Sequence, residues 1–250
     1  MAFKATHDAQ GRFLYNGRTE RKRRWDVLDD TTLPSWLSLS GTGGSVSVVP
    51  IGTTPGEGYC EFANSTSGAT ARLDMVFGST GGVHLDKFEE IIMNIYDLRV
   101  LQNSNAGSDL GSNLSFRMGV FTSPGRGFFY EQSGNTRKSR LYSFNGSNNI
   151  ENKLAENGTD GSGGFVINDT GFVGMSMKNL GIVARRDRSP GGGGRLYVNS
   201  GTLDSIHDVL EVPTAAWPTA QAGVCLEITN HNGQLAGIRF SALELILRSG

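Results

Sequence analysis

Phe88-Glu89-Glu90-Ile91-Ile92-Met93-Asn94-Ile95-Tyr96-Asp97-Leu98-Arg99-Val100 is the stretch on which the fold turns. Wound as a helix, it aligns Phe88, Ile91, Ile92 and Ile95 on one stripe. Laid out at period two, it sets Ile91, Met93 and Ile95 against Ile92, Asn94 and Tyr96. Its β-branched residues are stiff in a helix and pack well on a pleated surface. The segment is therefore expected to be a long central strand.

Other stretches share the period. Ser45-Val46-Ser47-Val48-Val49 alternates, as does Thr70-Ala71-Arg72-Leu73-Asp74-Met75-Val76-Phe77. Leu114, Phe116, Met118 and Val120 share one face, and Val224, Leu226 and Ile228 share another. Leu180 to Arg185 and Arg195 to Asn199 read as two arms of a hairpin, with Val173 to Met177 as a further strand. The chain holds 35 glycines and 7 prolines without a collagen period. The glycines cluster between apolar runs, where turns belong. No βαβ alternation, long helix or fixed repeat appears. Many short strands point to an all-β, mainly antiparallel two-sheet sandwich, expected to span residues 25–250. Polar stretches at Asn103–Ser112, Glu131–Ser139 and Glu151–Gly164 read as long loops.

Residues 1–24 differ in character. Arg18, Arg21, Lys22, Arg23 and Arg24 form a basic run after the turn signal Asn16-Gly17. They are expected to form a short N-terminal arm that docks onto a partner surface. The formal net charge of -1 gives no electrostatic reason to bind nucleic acid. No apolar run reaches the roughly 20 residues of a membrane span, and no signal peptide is visible. Cys60 and Cys225 sit in strand-like runs and read as buried free thiols, a bridge being the alternative.

Two stretches carry a family resemblance. Asp29-Asp30-Thr31-Thr32-Leu33-Pro34-Ser35-Trp36 leading into Ser40 to Val48 resembles the opening of concanavalin A-like jelly rolls. Gly194-Arg195-Leu196-Tyr197-Val198-Asn199-Ser200-Gly201 resembles a hairpin of laminin-G-like domains, although Ser200 interrupts the usual Asn-Gly turn. Ile238 to Leu245 is similar to the closing strand of that fold. The resemblance implies the sandwich and carbohydrate binding, and it assigns no binding residue. A sandwich with a basic arm and no disulfide framework also resembles bacteriophage virion proteins of tails, fibres and capsid decorations.

Glycoside hydrolysis needs two carboxylates flanking one bond. Glu89 and Glu90 are adjacent and point to opposite faces, while Asp29 and Asp30 precede a turn. No G-x-S-x-G elbow accompanies His7, His84, His207 or His231, and their spacing suits no metal. Glu156 to Gly163 offers oxygen ligands that calcium would accept, but matches no EF-hand and reads first as a polar loop. Sugar binding wants exposed rings beside hydrogen-bonding groups, which singles out Trp36, Tyr130, Tyr142 and Trp217.

The expectation is a non-enzymatic virion structural or adhesion module. It would fold in the host cytoplasm without a cofactor, assemble through its arm as a homo-oligomer or onto other virion proteins, and contact host-surface glycans. A soluble lectin-like module is the alternative, and a polysaccharide-degrading enzyme a more distant one.

Overall fold

The computed structural model describes residues 6–7, 13–15, 18–28, 30–52, 58–75, 83–84, 88–102, 114–122, 126–133, 138–144, 149–156, 178–187, 193–200, 205–212, 217 and 221–249. The strands run in chain order as β1 (Thr6–His7), β2 (Phe13–Tyr15), β3 (Arg18–Asp26), β4 (Leu37–Gly41), β5 (Gly44–Val49), β6 (Tyr59–Asn64), β7 (Thr70–Met75) and β8 (Val83–His84). There follow β9 (Glu90–Gln102), β10 (Leu114–Thr122), β11 (Arg126–Ser133), β12 (Lys138–Phe144), β13 (Asn149–Glu156) and β14 (Lys178–Arg186). The last are β15 (Gly194–Ser200), β16 (Ser205–Val212), β17 (Gln221–Asn230), β18 (Ala236–Phe240) and β19 (Ala242–Arg248).

They form two antiparallel sheets that face one another across a shared core. Sheet I runs β1-β2-β3-β19-β9-β14-β15-β16, with β18, β6 and β5 branching from β9. Sheet II runs β13-β12-β11-β10-β17-β7-β4, with β8 on β17. The long run from Glu90 to Val100 falls within β9, in the middle of sheet I. Its first half pairs with β19 and β14, and its end with β18.

Side-chain parity builds the core. Leu114, Phe116, Met118 and Val120 of β10 are all buried, opposite Tyr130 and Phe128 of β11 and Ile228, Leu226 and Val224 of β17. Ile91, Met93 and Ile95 supply the facing layer from β9. Trp25 lies edge-on to Phe240 at 6.1 Å. Cys60 and Cys225 are free and buried, and burial pushes the Cys60 thiol up to about 12. Segment 173–177, the stretch 103–112 and residues 157–163 lie outside the described residues.

β9 changes partner at Asp97, the only non-glycine among the described residues with a left-handed backbone (φ 53°). The β14 register shifts opposite this point. The Asp97 amide donates to Asn179 Oδ1 at 3.1 Å, and its carboxylate accepts from the Ser241 hydroxyl. Ser241 joins β18 to β19, so one bulge passes β9 from the one partner to the other.

Two expectations are corrected. The basic run is no detached arm, because β3 pairs with β19 from Glu20 to Asp26 and the boundary at 24/25 falls inside one strand. Alternation sends Lys22 and Arg24 to the outer face. There Lys22 Nζ lies 2.6 Å from Glu244, while Arg24 pairs with Asp26 and covers the Tyr96 ring at 4.9 Å. Positive charge that reads as an arm in one dimension is neutralised across strands. The polar stretches 131–139 and 151–164 are also largely strand where described, since strand polarity marks an outward face as readily as a loop.

Burial alone would raise the Glu244 carboxyl, but donors on Lys22, Asn94 and Tyr96 outweigh it and hold the group below its ordinary value. Glu90, held by Arg185 and Arg248 against the same burial penalty, is lowered likewise. A carboxyl lowered on folding stabilises fully above its unfolded value and loses that contribution as pH falls through the folded value. Thermal melts are therefore expected to weaken as pH drops below the ordinary 4.5. Glu244→Gln should flatten part of that dependence, and an unchanged profile would contradict the assignment. Removing residues 1–24 should destroy the cooperative melt, whereas a detached arm would leave it unmoved. Asp97→Val should cost about 2 kcal/mol in denaturant titration, because a β-branched residue resists the left-handed region, while Asp97→Gly should cost less.

Candidate functional site

Four aromatic residues were singled out by sequence, and the structure separates them. Tyr130 is fully buried, because its parity on β11 matches Met118 and Leu141 on the inward side. Trp217 is also inside: it lies 5.0 Å from the Phe128 ring, and a Cβ at Gly194 would come within 2.5 Å of its indole. Its Nε1 and the Ser143 hydroxyl are buried without hydrogen-bond partners among the described residues. Neither Tyr130 nor Trp217 presents a platform to a ligand. Trp36 is half-buried against the core. Tyr142 alone sits half-exposed on the outer face of sheet II.

That face is organised in rows, because antiparallel register places outward residues of neighbouring strands side by side. One row reads Ser40, Arg72, Glu227, Arg117 and Glu131 across β4, β7, β17, β10 and β11. Charge alternates along it from Arg72 to Glu131. Arg72 donates to Glu227 Oε2 at 2.7 Å, and Arg117 reaches Glu227 Oε1 at 3.2 Å while its Nε donates to Glu131. Glu131 and Glu227 are buried, at 1% and 5% exposure, so each depends on its guanidinium neighbours.

The adjacent row reads Ser38, Asp74, Cys225, Gly119, Phe129 and Tyr142. Phe129 stacks on Tyr142 at 5.0 Å and meets Phe144 edge-on at 5.8 Å. Arg117 lies over the Phe129 ring at 4.8 Å. A Cβ on Gly119 would come within 2.6 Å of the Phe129 Cβ, so glycine lets Phe129 settle close against β10. Phe129 is the buried base of the cluster, and Tyr142 and Phe144 are its half-exposed rim.

A third row places Ser115, Thr229 and Thr70 together. Ser115 Oγ lies 2.7 Å from His231 Nε2, and the two threonine hydroxyls are 2.8 Å apart. Burial lowers the His231 imidazole, with Glu131 and Arg117 acting on it in opposite directions.

Arg117, Glu131, Glu227 and Phe144 escaped the sequence reading. A search for paired carboxylates within one strand cannot find Glu131 and Glu227, which converge from different strands through Arg117. The available signal was a charged residue at the outward parity of three strongly amphipathic strands. Among the described residues, no group of three His, Cys, Asp or Glu side chains is placed to hold a metal. No helix of the described residues is long and apolar enough to cross a membrane.

Chemically, the face offers rings beside fixed donors and acceptors. No protein-family model matches the chain, and no curated protein sequence matches it. Among solved structures, the chain is similar to a protein of unknown function from Shewanella oneidensis MR-1. That match has TM-score 0.54 and 13% identity, covering 92% of this chain and 87% of that one. It is also similar to the CBM2 module of the evolved Dit of Lactobacillus casei BL23 phage J-1, at TM-score 0.49 and 11% identity, covering 93% and 98%. The winged bean acidic lectin complexed with methyl-alpha-D-galactose gives TM-score 0.46 and 12% identity, covering 92% and 100%. At 13% identity the likeness to the Shewanella oneidensis protein is one of fold alone.

Proposed function

We propose that the chain is a non-enzymatic adhesion module that binds carbohydrate on the outer face of sheet II. One observation carries this reading: the half-exposed rings of Tyr142 and Phe144 lie beside the fixed ladder Arg72–Glu227–Arg117–Glu131. A sugar ring has apolar C–H faces and a polar rim, so it needs a flat ring next to rigid hydrogen-bonding groups. The ladder supplies donors and acceptors whose positions are set before any ligand arrives, which limits the ordering cost of binding.

Hydrolysis is a poorer match to this geometry. A glycosidase sets its two carboxyl groups free on either side of one bond. Here Glu131 and Glu227 both hold Arg117, and Glu227 holds Arg72 as well. An open sheet face makes few contacts per sugar, so each site is expected to be weak. Display in many copies on a particle, such as a phage virion, would convert weak sites into firm attachment. That setting is proposed together with the binding reading.

Glycan-array screening of the folded chain, followed by calorimetry on the best hit, tests the reading. Tyr142→Ala should weaken the hit by about tenfold, in the range of one lost aromatic contact. Release of reducing ends from that glycan should stay undetectable. Binding that ignores Tyr142→Ala, or no binding at millimolar ligand, would remove the proposal's support.

A further inference from the structure

Among the described residues sheet II ends at β4, and that edge is unusual. Natural sheets guard exposed edges with charges, prolines or cover, because unpaired amides invite another strand. From Thr31 to Gly56 the sequence contains no charged residue. Ser38, Leu39, Ser40 and Gly41 are all exposed. Leu39 is among the few large apolar residues on the surface, at 39% exposure. The opposite edge of sheet II, β13, carries Glu151, Lys153 and Glu156, and the β16 edge of sheet I carries Asp208 and Glu211.

Hydrogen-bond parity shows which amides face outward. The Thr42 amide donates to Thr70 O on β7 at 3.0 Å. In an antiparallel ladder only alternate residues bond to a given neighbour. Ser40 and Ser38 therefore follow Thr42 toward β7, and Leu39 and Gly41 turn their N–H and C=O to the open side. Leu37 agrees, since its amide is taken by Pro34 O and not by β7.

We propose that β4 pairs antiparallel with β4 of a second copy of this chain, about a two-fold axis at Leu39. The sequence around that point is self-complementary. Leu39 meets Leu39 of the partner subunit, Ser38 and Ser40 of one copy oppose Ser40 and Ser38 of the other, and Leu37 opposes Gly41. Because Leu39 presents its N–H and C=O outward, the two copies exchange both bonds as a hydrogen-bonded pair. The interface is isologous, and no charge on either edge opposes it. The exposed leucine, which packs near Gly44 at the head of β5, is covered by its symmetry mate.

The axis stands perpendicular to the sheet, so sheet II of one copy continues into sheet II of the next. Both outer faces then point the same way. A single dimer would present two ladder-and-ring surfaces to one target. The dimer itself does not depend on what those surfaces bind.

Sedimentation equilibrium from micromolar to submillimolar protein tests the pairing. The chain should show a reversible monomer–dimer equilibrium, and Leu39→Lys should weaken it at least about tenfold with an unchanged melting temperature. Leu39→Cys should give a disulfide-linked dimer on mild oxidation, because the paired Cα atoms would lie about 5.5 Å apart. A monomer throughout the range, or a dimer indifferent to Leu39→Lys, would overturn the proposal. Glycan binding by a monomeric Leu39→Lys protein would leave the adhesion reading intact while deciding the dimer separately.

Discussion

The pairing of β9 with three different strands is the constraint on which the rest of the sandwich depends. Its first half holds β19 on one side and β14 on the other, and its end holds β18. Through β19 it fixes β3, and through β18 it fixes β6 and β5. The handover occurs at Asp97, whose side chain and backbone are both engaged by neighbours. A residue able to tolerate the left-handed region at modest cost thus sets the shape of a whole sheet. Because parity is strict, this also decides which residues of sheet I face sheet II. A slip of one residue would exchange Ile91, Met93 and Ile95 for Ile92, Asn94 and Tyr96.

This dependence explains what the sequence could reveal. The period-two runs of β9, β10 and β17 were legible, because each strand carries its own burial pattern. The two sheets follow from accumulating such patterns. The basic run was misjudged for the opposite reason. The acceptor of Lys22 is Glu244, more than two hundred positions away, and nothing local distinguishes a charge awaiting that partner from one awaiting another molecule. Tyr130 failed by a single step of parity. Phe128, Phe129 and Tyr130 look equivalent in sequence, yet only the middle ring faces outward.

The candidate site was legible at Tyr142 and nowhere else. Its polar half is assembled from β7, β17, β10 and β11, whose order in the sheet bears no relation to their order in the chain. Glu227 stands beside Arg117 only because β17 lies between β10 and β7. Sequence reasoning can assign each of these residues to an outward face, but adjacency is a property of topology.

Both outer faces in fact carry an alternating ladder, so ion pairing alone does not mark a site. On sheet I, Glu20, Arg248, Glu90 and Arg185 are joined in series, just as Arg72, Glu227, Arg117 and Glu131 are on sheet II. Such ladders satisfy buried carboxylates across strands, and a structural role is enough to account for them. The faces differ in their rings. On sheet I, Tyr197 lies under the Arg185 guanidinium at 5.4 Å and Tyr96 lies under Arg24. On sheet II, the guanidinium of Arg117 covers Phe129, the buried member, and three rings pack together behind it. An apolar shelf therefore meets a row of ion pairs at one border. A ligand with one apolar face and many hydroxyls fits that border, whereas a simple ion would have to displace pairs already made. The argument for sugar thus rests on the rings, and the ladder matters because it holds its polar groups still beside them.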